Sequence, residues 1–324
     1  TLLDGSLSKG GGTHGGIQSM TNNPALRIGF PERCAALKRL AKASTTFDDS
    51  DTVHTEARDR MLERLKFFRL APRCVLDLGS ATGKGTIELA ALYPEAQIIA
   101  AELSHPMAAQ TQKRCVDLNF THTVVGNAEQ LPFLENSIDL VFANLLLPWC
   151  DPQAMFGEIS RVLCDGGLAL FTTVGPDTLQ EVRKAWAAVD EKVHVHGFVD
   201  MHDLGDLAAR AGLIEPVMDI DRLRVDYGKF EQLVADLRAC GATNVAFGRR
   251  VQLTGPRRWR AFCERLEAYR SKGTLSISVE LIFGQAWGMT RSAVTDDGAV
   301  KVSVDELTRS LRRGDGESSA NGVR

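Results

Sequence analysis

The chain has 324 residues, of which 44% are hydrophobic, and carries a formal net charge of −3 at pH 7. That length and apolar content can bury a substantial core, which excludes a chain that is disordered throughout. A net charge this close to zero also argues against a surface built as a whole to bind nucleic acid or an anionic membrane.

The cellular setting is indicated by the cysteines and by the lack of long apolar runs. The seven cysteines are scattered and include no C-x-x-C pair, which is typical of reduced thiols. No run reaches the ~18 apolar residues of a membrane span, and no secretory leader opens the sequence. We therefore expect a cytoplasmic protein without a membrane partner.

Both ends of the chain are poor in the apolar residues that fold a segment. Residues 4–16 are rich in glycine and residues 313–324 are similarly polar, so neither can repay the entropy of ordering. We expect a flexible N-terminal segment over residues 1–46 and a mobile C-terminal tail over residues 291–324.

The first regular elements predict an α/β fold. Apolar residues share one face of a helix over residues 51–70. Short apolar strands then alternate with amphipathic helices: strands at 74–78, 97–101, 121–125, 138–143 and 167–173, and helices at 83–92, 106–119 and 153–163. This alternation indicates right-handed crossovers and a mainly parallel sheet, whose ligands bind at the carboxyl ends of the strands.

The alternation of strands and helices ends after residue 173. Helical patterns follow near 178–190, 202–211, 229–240 and 255–272, and a β-branched stretch from residue 275 predicts a last strand. We therefore expect a core at 47–175, a helical substrate cap at 176–274 and a final core strand at 275–290. Helices inserted before a returning strand would form a lid over the pocket.

The segment VLDLGSATGKG, residues 75–85, combines a strand, a glycine-rich turn and a helix start. Gly79 and Gly83 allow the backbone to approach a ligand that a Cβ would exclude. A Walker loop needs one more residue between these glycines, and Ala81 and Thr82 break the dinucleotide pattern G-x-G-x-x-G. A purely structural glycine turn is an equal alternative for this segment alone.

Three further polar positions follow the next strands. Glu102 ends a strand about 20 residues past the turn, where a carboxylate can accept both ribose hydroxyls; a solvated acid at a strand end is the alternative. Asn127 follows the third strand, at the edge expected for adenine, and Asn144 ends the fourth. Each signal is weak alone, but their order and spacing fit one cofactor pocket.

On these motifs the chain resembles the class I S-adenosylmethionine-dependent methyltransferases, in particular the biotin-pathway malonyl-[acyl-carrier protein] O-methyltransferase family. The resemblance runs from about Phe47 to Gly288. VLDLGSATGKG, AELSHPM and GNAEQLPF are typical of the whole class. NLLLPWCDP, ISRVLCDGGLALFTTVGPDTL, HVHGFVDMHDLGDLAARAG and the LTG near Gly255 are typical of the family.

The resemblance implies a Rossmann-like sandwich with an antiparallel last strand, and methyl transfer from S-adenosylmethionine to the free carboxylate of a malonyl thioester on acyl carrier protein. S-adenosylhomocysteine is the implied product, and no metal is implied. Another small-molecule or protein acceptor, or a non-catalytic assembly protein with this fold, are the alternatives. The expected cofactor-binding residues are Asp77, Gly79, Thr82, Gly83, Glu102, Leu103, Asn127, Ala128 and Asn144.

Four positions depart from the family pattern. Glu102 and Asn127 stand where aspartate is common, and both keep the capacity to form hydrogen bonds. Ala81 replaces a glycine, so we expect its methyl group to weaken cofactor affinity. Phe47 replaces a tyrosine and lacks the hydroxyl that could contact the methionine end of the cofactor.

The implied chemistry needs no general base, because a carboxyl group with a pKa of roughly 3–4 is already ionised at neutral pH. Alignment and exclusion of water must then supply the catalysis. Trp149, just after the fourth strand, is the candidate wall of the transfer site, with a buried structural tryptophan as an equal alternative. Arg249 is the candidate carboxylate clamp, with a solvated surface arginine as the alternative.

Two other features of the cap region have functional interpretations. His194 and His196 suggest a metal site, but no third ligand lies nearby, so substrate contact or packing is favoured. Residues 249–272 carry eight basic and two acidic side chains. An acidic malonyl-acyl carrier protein would be attracted to this basic segment. A solvated helix face is the ordinary alternative, and RNA is the least favoured because aromatic residues are sparse there.

Overall fold

A seven-stranded sheet organises residues 31–289, the part of the chain that this computed structural model describes. Its strands are β1 Cys74–Leu78, β2 Gln97–Glu102, β3 Thr121–Val125, β4 Ile138–Ala143, β5 Leu163–Val174, β6 Ile214–Tyr227 and β7 Leu275–Trp287. The helices are α1 Arg33–Ala43, α2 Thr52–Leu65, α3 Lys84–Leu92, α4 His105–Arg114, α5 Pro152–Val162, α6 Gln180–Ala187, α7 Met201–Arg210, α8 Phe230–Ala239 and α9 Pro256–Glu267. Single 3-10 turns occur at Phe47–Asp49 and Leu147–Trp149.

The strand order β3-β2-β1-β4-β5-β7-β6 explains where a ligand can bind. Strands β1 to β5 are parallel, whereas β7 runs antiparallel between β5 and β6. The chain passes from β1 to β2 and β3 on one side of β1, and then places β4 on the other side of β1. This reversal opens a crevice at the carboxyl ends of β1, β2 and β4. The mainly parallel sheet with an antiparallel last strand confirms the predicted fold class.

The sheet is buried because helices cover both of its faces. On one face, Met155, Phe156 and Ile159 of α5 pack against the apolar side of β4 and β5. On the other, α2 buries Met61 and Leu65 against β1, β4 and β7. Burying a large apolar side chain contributes about 1.5–3 kcal/mol, so these two layers hold the strand ends in fixed positions.

The structure differs from the sequence-based division in two places. Residues 176–274 are not purely helical, because Ile214–Tyr227 form the edge strand β6 beside β7. Part of the expected flexible segment 1–46 is helix α1, which begins at Arg33. Residues 1–30, residue 290 and the tail 291–324 lie outside the described residues. Of the helices described, none is long and apolar enough to cross a membrane.

Candidate functional site

Three neighbouring cavities lie at the carboxyl ends of the central strands. The strand-end cavity, with an empty volume of about 830 Å³, is bounded by the ends of β1, β2 and β4 and by α1. The smaller turn cavity, about 390 Å³, lies behind the glycine-rich turn. The cap cavity, about 1660 Å³ including its open mouth, separates the sheet from the cap elements.

The strand-end cavity gathers most of the predicted cofactor-binding residues. Those that line it are Gly79, Glu102, Leu103, Asn127, Ala128 and Asn144. Asp77 and Thr82 line the turn cavity instead. Gly83 lines none of the three cavities and is the N-cap residue that precedes helix α3. Six of the nine predicted residues thus share one cavity, although they come from four separate strand ends.

The glycine-rich turn has the close approach that its sequence predicts. Gly79 has a φ of +78°, and a Cβ there would lie 2.9 Å from Cδ1 of Leu146. Gly83 has a φ of +85°, and its Cβ would lie 2.9 Å from Cγ2 of Thr111. Any side chain at either position would therefore combine backbone strain with a clash against Leu146 or Thr111, so both glycines are needed to form the turn.

Glu102 is a buried carboxylate in the wall of the strand-end cavity. Its Oε2 accepts the Ala81 N–H at 3.1 Å and its Oε1 accepts the Ser104 N–H at 2.8 Å. Burial raises the pKa of this carboxyl, while the backbone donors oppose that rise. Each oxygen retains a lone pair for a further donor. A polar ligand with two neighbouring hydroxyl groups, such as a ribose, fits this arrangement.

Asp77 and Thr82 stabilise the turn through their own hydrogen bonds. The Thr86 hydroxyl donates to Oδ2 of Asp77 at 2.5 Å, and the Thr82 hydroxyl donates to Oδ1 of Asp48 at 2.6 Å. Burial raises the pKa of Asp77 from 3.8 to about 7, although the bond from Thr86 opposes the shift. Their contact with a ligand therefore stays a prediction, whereas their structural hydrogen bonds are observed.

The Asp77 pKa predicts a pH-dependent stability. A carboxyl whose folded-state pKa is raised stabilises the fold fully below pH ~4 and loses that contribution as the pH rises through about 7. Asp77→Asn keeps an oxygen for Thr86 but cannot ionise. The free energy of unfolding of Asp77→Asn minus that of the wild type should increase from pH 5 to pH 8. Urea denaturation measures both free energies. A stability difference that is constant with pH would contradict the burial argument.

Ala81 occupies a conformation that favours glycine. Its φ is +49°, and its methyl group packs beside Phe47 and Met107 as well as lining the strand-end cavity. Ala81→Gly relieves left-handed strain of ~1–2 kcal/mol, but increases the freedom of the unfolded chain by ~0.4–1 kcal/mol.

We expect Ala81→Gly to leave stability equal or increase it by up to about 1 kcal/mol. S-adenosylhomocysteine affinity should be equal or better, because a Cβ is removed from the cavity wall. Urea denaturation and calorimetry measure the two effects, with Ala91→Gly in helix α3 as the destabilising control. A strong loss of affinity would mean that the Ala81 methyl group is a ligand contact.

Helix α1 forms a wall of the strand-end cavity that the sequence did not reveal. Ala36, Leu37 and Leu40 line the cavity from this helix. Arg33 pairs with Glu129, which also lines this cavity, with 3.2 Å between Nη1 and Oε2. The apolar spacing of these three residues was visible, but the glycine-rich sequence before them suggested disorder through residue 46.

Trp149 lies where the strand-end cavity meets the cap cavity, since it lines both. It ends the 3-10 turn that follows β4, and its ring meets that of His196 edge to face at 5.6 Å between centroids. The remaining walls of the cap cavity are mainly aromatic and aliphatic: Trp186, Phe198, Tyr227, Trp259, Phe262 and Leu266. The predicted wall position of Trp149 therefore has the required geometry.

His54 is a site residue that sequence reasoning missed. It lines all three cavities, and its ring contacts that of Phe47 at 4.8 Å. Its backbone carbonyl accepts a bond of 2.9 Å from the Asn144 amide. Burial lowers the pKa of His54 to about 4, so the ring is neutral at pH 7. Its position one turn into α2, close after Phe47, was the available signal.

The structure does not place Arg249 in the cap cavity. Its Nη1 donates to Oε2 of Glu32 at 2.6 Å and to the carbonyls of Val245 and Ala246. The guanidinium is thus held by an ion pair and two carbonyls, and it lines neither the strand-end cavity nor the cap cavity. The role of Arg249 as a carboxylate clamp stays a prediction that this geometry does not favour, since the guanidinium is paired with Glu32, a residue assigned to the flexible segment.

The two cap histidines have separate partners. Nε2 of His194 lies 2.7 Å from Oδ1 of Asp190, and its ring stacks on Trp186 at 3.8 Å. Nε2 of His196 accepts the Val245 N–H at 3.0 Å. Within residues 31–289, no group of three His, Cys, Asp or Glu side chains is placed to hold a metal ion.

Known proteins resemble the chain over most of its length. A family model described as a methyltransferase domain matches residues 76–171. The malonyl-[acyl-carrier protein] O-methyltransferase of Gallionella capsiferriformans is 38% identical over 279 residues, covering 83% of this chain and 94% of that protein. The malonyl-[acyl-carrier protein] O-methyltransferase 1 of Coxiella burnetii is also 38% identical over 279 residues, covering 85% and 95%.

The solved structures agree on the fold. The YcgJ protein of Bacillus subtilis superposes with a TM-score of 0.52 at 17% identity, covering 71% of this chain and 98% of that one. That identity is too low to compare activities, so the relatives in sequence decide the family. Because relatives at 38% identity cover more than four fifths of it, the chain belongs to the malonyl-[acyl-carrier protein] O-methyltransferase family of class I S-adenosylmethionine-dependent methyltransferases.

Proposed function

We propose that the chain transfers the methyl group of S-adenosylmethionine to the free carboxylate of a malonyl thioester carried by acyl carrier protein. The observation that carries this proposal is the junction at Trp149, a residue that lines both the strand-end cavity, whose wall includes the buried carboxylate of Glu102, and the larger cap cavity. The relatives named malonyl-[acyl-carrier protein] O-methyltransferase support the same reaction. The reaction would belong to the making of pimelate and biotin.

The strand-end cavity offers complementary groups for each part of the cofactor. In this proposal, Glu102 accepts the ribose hydroxyls through its two oxygens. Leu103, Asn127 and Ala128 border the adenine, and Gly79 with Asn144 borders the methionine end. Two features of the cavity wall fit the cofactor. One is the buried carboxylate of Glu102, and the other is Gly79, where the structure leaves no room for a Cβ.

The cap cavity favours methyl transfer because its walls are mainly apolar. Bound cofactor supplies a methyl group on a positively charged sulfur, and the acceptor oxygen supplies the electron pair. Charge is therefore neutralised during the reaction, so apolar walls disfavour the separated charges more than the transition state. Trp149 would align the reactants and exclude water, and no side chain needs to remove a proton.

Helix α9 connects the cap cavity with a basic surface. Trp259, Phe262 and Leu266 line the cavity from one side of this helix. The basic surface is formed by the exposed side chains of Arg257, Arg258, Arg260, Arg265 and Lys272. We propose that an acidic carrier protein docks on this surface while its thioester arm enters the cavity. Val251 and Leu253, also exposed, provide apolar contacts beside it.

This docking proposal predicts an effect on association rather than chemistry. Reversing two exposed charges with Arg257→Glu and Arg258→Glu should lower the association rate of malonyl-acyl carrier protein about 10-fold or more at low salt, because surface charges steer encounter. Turnover of saturating carrier protein should survive. Stopped-flow binding at two salt concentrations measures the association rate.

The matched control is Lys66→Glu with Arg69→Glu, which makes the same change in net charge at exposed positions beyond the C-terminal end of α2. The N-terminal end of that helix, not these residues, lines the cap cavity. An equal loss of association rate in both double variants would mean that net charge matters and that helix α9 is not the docking surface.

A further inference from the structure

His196 is a polar group in the mainly apolar wall of the cap cavity. The residue is buried, and its ring lies edge to face with Trp149, 5.6 Å between centroids. Because Trp149 also lines the strand-end cavity, the imidazole lies one ring away from the junction at which the transferred methyl group would pass.

The hydrogen bonding of His196 determines which ring nitrogen carries the proton. The Val245 N–H can only donate, and it points to Nε2 at 3.0 Å, so Nε2 must be the acceptor. Burial, assisted by the nearby charge of Arg249, lowers the pKa of His196 to about 4. The ring is therefore neutral at pH 7, with its proton on Nδ1.

The hydrogen bond that fixes the His196 tautomer is made at Nε2, so Nδ1–H is the donor that this ring can offer to a ligand in the cap cavity. The charged side chains that line the cap cavity, apart from the histidines, are Asp236 and Arg238. The charge of Arg249 lowers the pKa of His196, but the Arg249 guanidinium is already paired with Glu32. Among the donor-bearing residues that line the cavity, His196 is the one whose ring is seen to meet that of Trp149.

A neutral donor also suits the chemistry better than a cation. The acceptor carboxylate loses its negative charge as it becomes an ester. A fixed cation would stabilise the ionised carboxylate more than the transition state and so would raise the barrier. A neutral N–H stabilises the ionised carboxylate less than a cation does, so it raises the barrier less. It orients one carboxylate oxygen and leaves the other free to attack the methyl group.

We propose that His196 is a catalytic residue that orients the acceptor carboxylate by donating a hydrogen bond from Nδ1–H. This inference rests on the proposed function. One carboxylate oxygen accepts the bond, while the other forms the new C–O bond as the C–S bond breaks and its electron pair stays on sulfur. His196 keeps its proton throughout, so it acts as a positioning donor and not as a general acid.

Two substitutions separate this role from support of the backbone at Val245. Gln at position 196 places an oxygen near the site of Nε2, so His196→Gln keeps the bond from Val245 but removes the Nδ1 donor. Asn places its amide nitrogen near the site of Nδ1, so His196→Asn keeps the donor but loses the Val245 bond. His194→Gln is the matched control, because His194 lines the same cavity but its Nε2 is bound to Asp190.

The test compares steady-state methylation of malonyl-acyl carrier protein by the wild type and the three variants, together with S-adenosylhomocysteine affinity and melting temperature. His196→Gln should lower kcat about 10- to 100-fold, with unchanged cofactor affinity and a melting temperature close to that of the wild type. His196→Asn should melt earlier yet lose less activity per folded molecule. Full kcat in His196→Gln, or losses that only follow the folded fraction, would overturn the proposal.

A measurement without turnover tests the same inference. Nitrogen-15 NMR of the free protein distinguishes the two neutral tautomers of histidine, and we expect the His196 proton on Nδ1. A proton on Nε2 would overturn the inference whatever the activity. A wild type that makes no malonyl methyl ester, with the Nδ1–H tautomer observed, would instead reject the proposed acceptor.

Discussion

Replacing Glu102 by alanine should weaken S-adenosylhomocysteine binding about 100-fold or more, because hydrogen bonds to a charged group are worth roughly 1.5–3 kcal/mol each. The substitution removes the proposed acceptor of two ribose hydroxyls. It also leaves the Ala81 and Ser104 N–H groups without their acceptor, which loosens the glycine-rich turn. Isothermal titration calorimetry measures the affinity, and circular dichroism verifies that the variant is folded.

Two further substitutions serve as controls for Glu102→Ala. Glu102→Asp keeps the charge with a shorter side chain and should retain most of the affinity. Glu95→Ala removes an exposed carboxylate just before β2 and should have no effect. If folded Glu102→Ala bound S-adenosylhomocysteine as tightly as the wild type, Glu102 would have only a structural role, and the assignment of the ribose contacts to it would be wrong.

Replacing Trp149 by alanine should lower kcat about 10- to 100-fold, because the indole lines both cavities at their junction. Its loss opens a path for water and removes a surface that aligns the acceptor. The Michaelis constant for carrier protein should change much less, since the basic surface on helix α9 is untouched. Steady-state kinetics with varied carrier protein separates these two parameters.

The conservative variant Trp149→Phe distinguishes a wall from a specific polar contact. It keeps an aromatic ring but has no indole N–H, so it should retain most of the activity if the ring acts as a wall. Equal, large losses of kcat in Trp149→Phe and Trp149→Ala would indicate that the indole N–H itself contacts the acceptor. Unchanged kcat in Trp149→Ala would remove Trp149 from the transfer site.

The core of the fold was predictable because its signals are local. Five strands and the helices between them follow from short apolar runs that alternate with helical periodicity, and the structure confirms them within a few residues. The strand-end rule then brought Glu102, Asn127 and Asn144 to one cavity. These residues lie at or within two residues of the ends of their strands, so the sheet largely determines their position.

Features that depend on distant partners were not predictable in the same way. Strand β6 alternates apolar and charged residues, but the surrounding helical patterns favoured a wholly helical cap, and its pairing with β7 decides its conformation. Arg249 is held by Glu32, more than 200 positions earlier. His54 gains its importance only when α2 is packed beside the strand ends, because its position close after Phe47 is a signal that a structural helix residue would give as well.

The central claim is methyl transfer to the carboxylate of malonyl-acyl carrier protein, and mass spectrometry of the carrier protein tests it most directly. Purified protein with S-adenosylmethionine should add one methyl group to malonyl-acyl carrier protein and form a base-labile ester. Acetyl-acyl carrier protein has the same arm but no free carboxylate, so it should stay unmodified. An unmodified malonyl form, from protein shown to bind S-adenosylhomocysteine, would contradict the account and indicate a different acceptor.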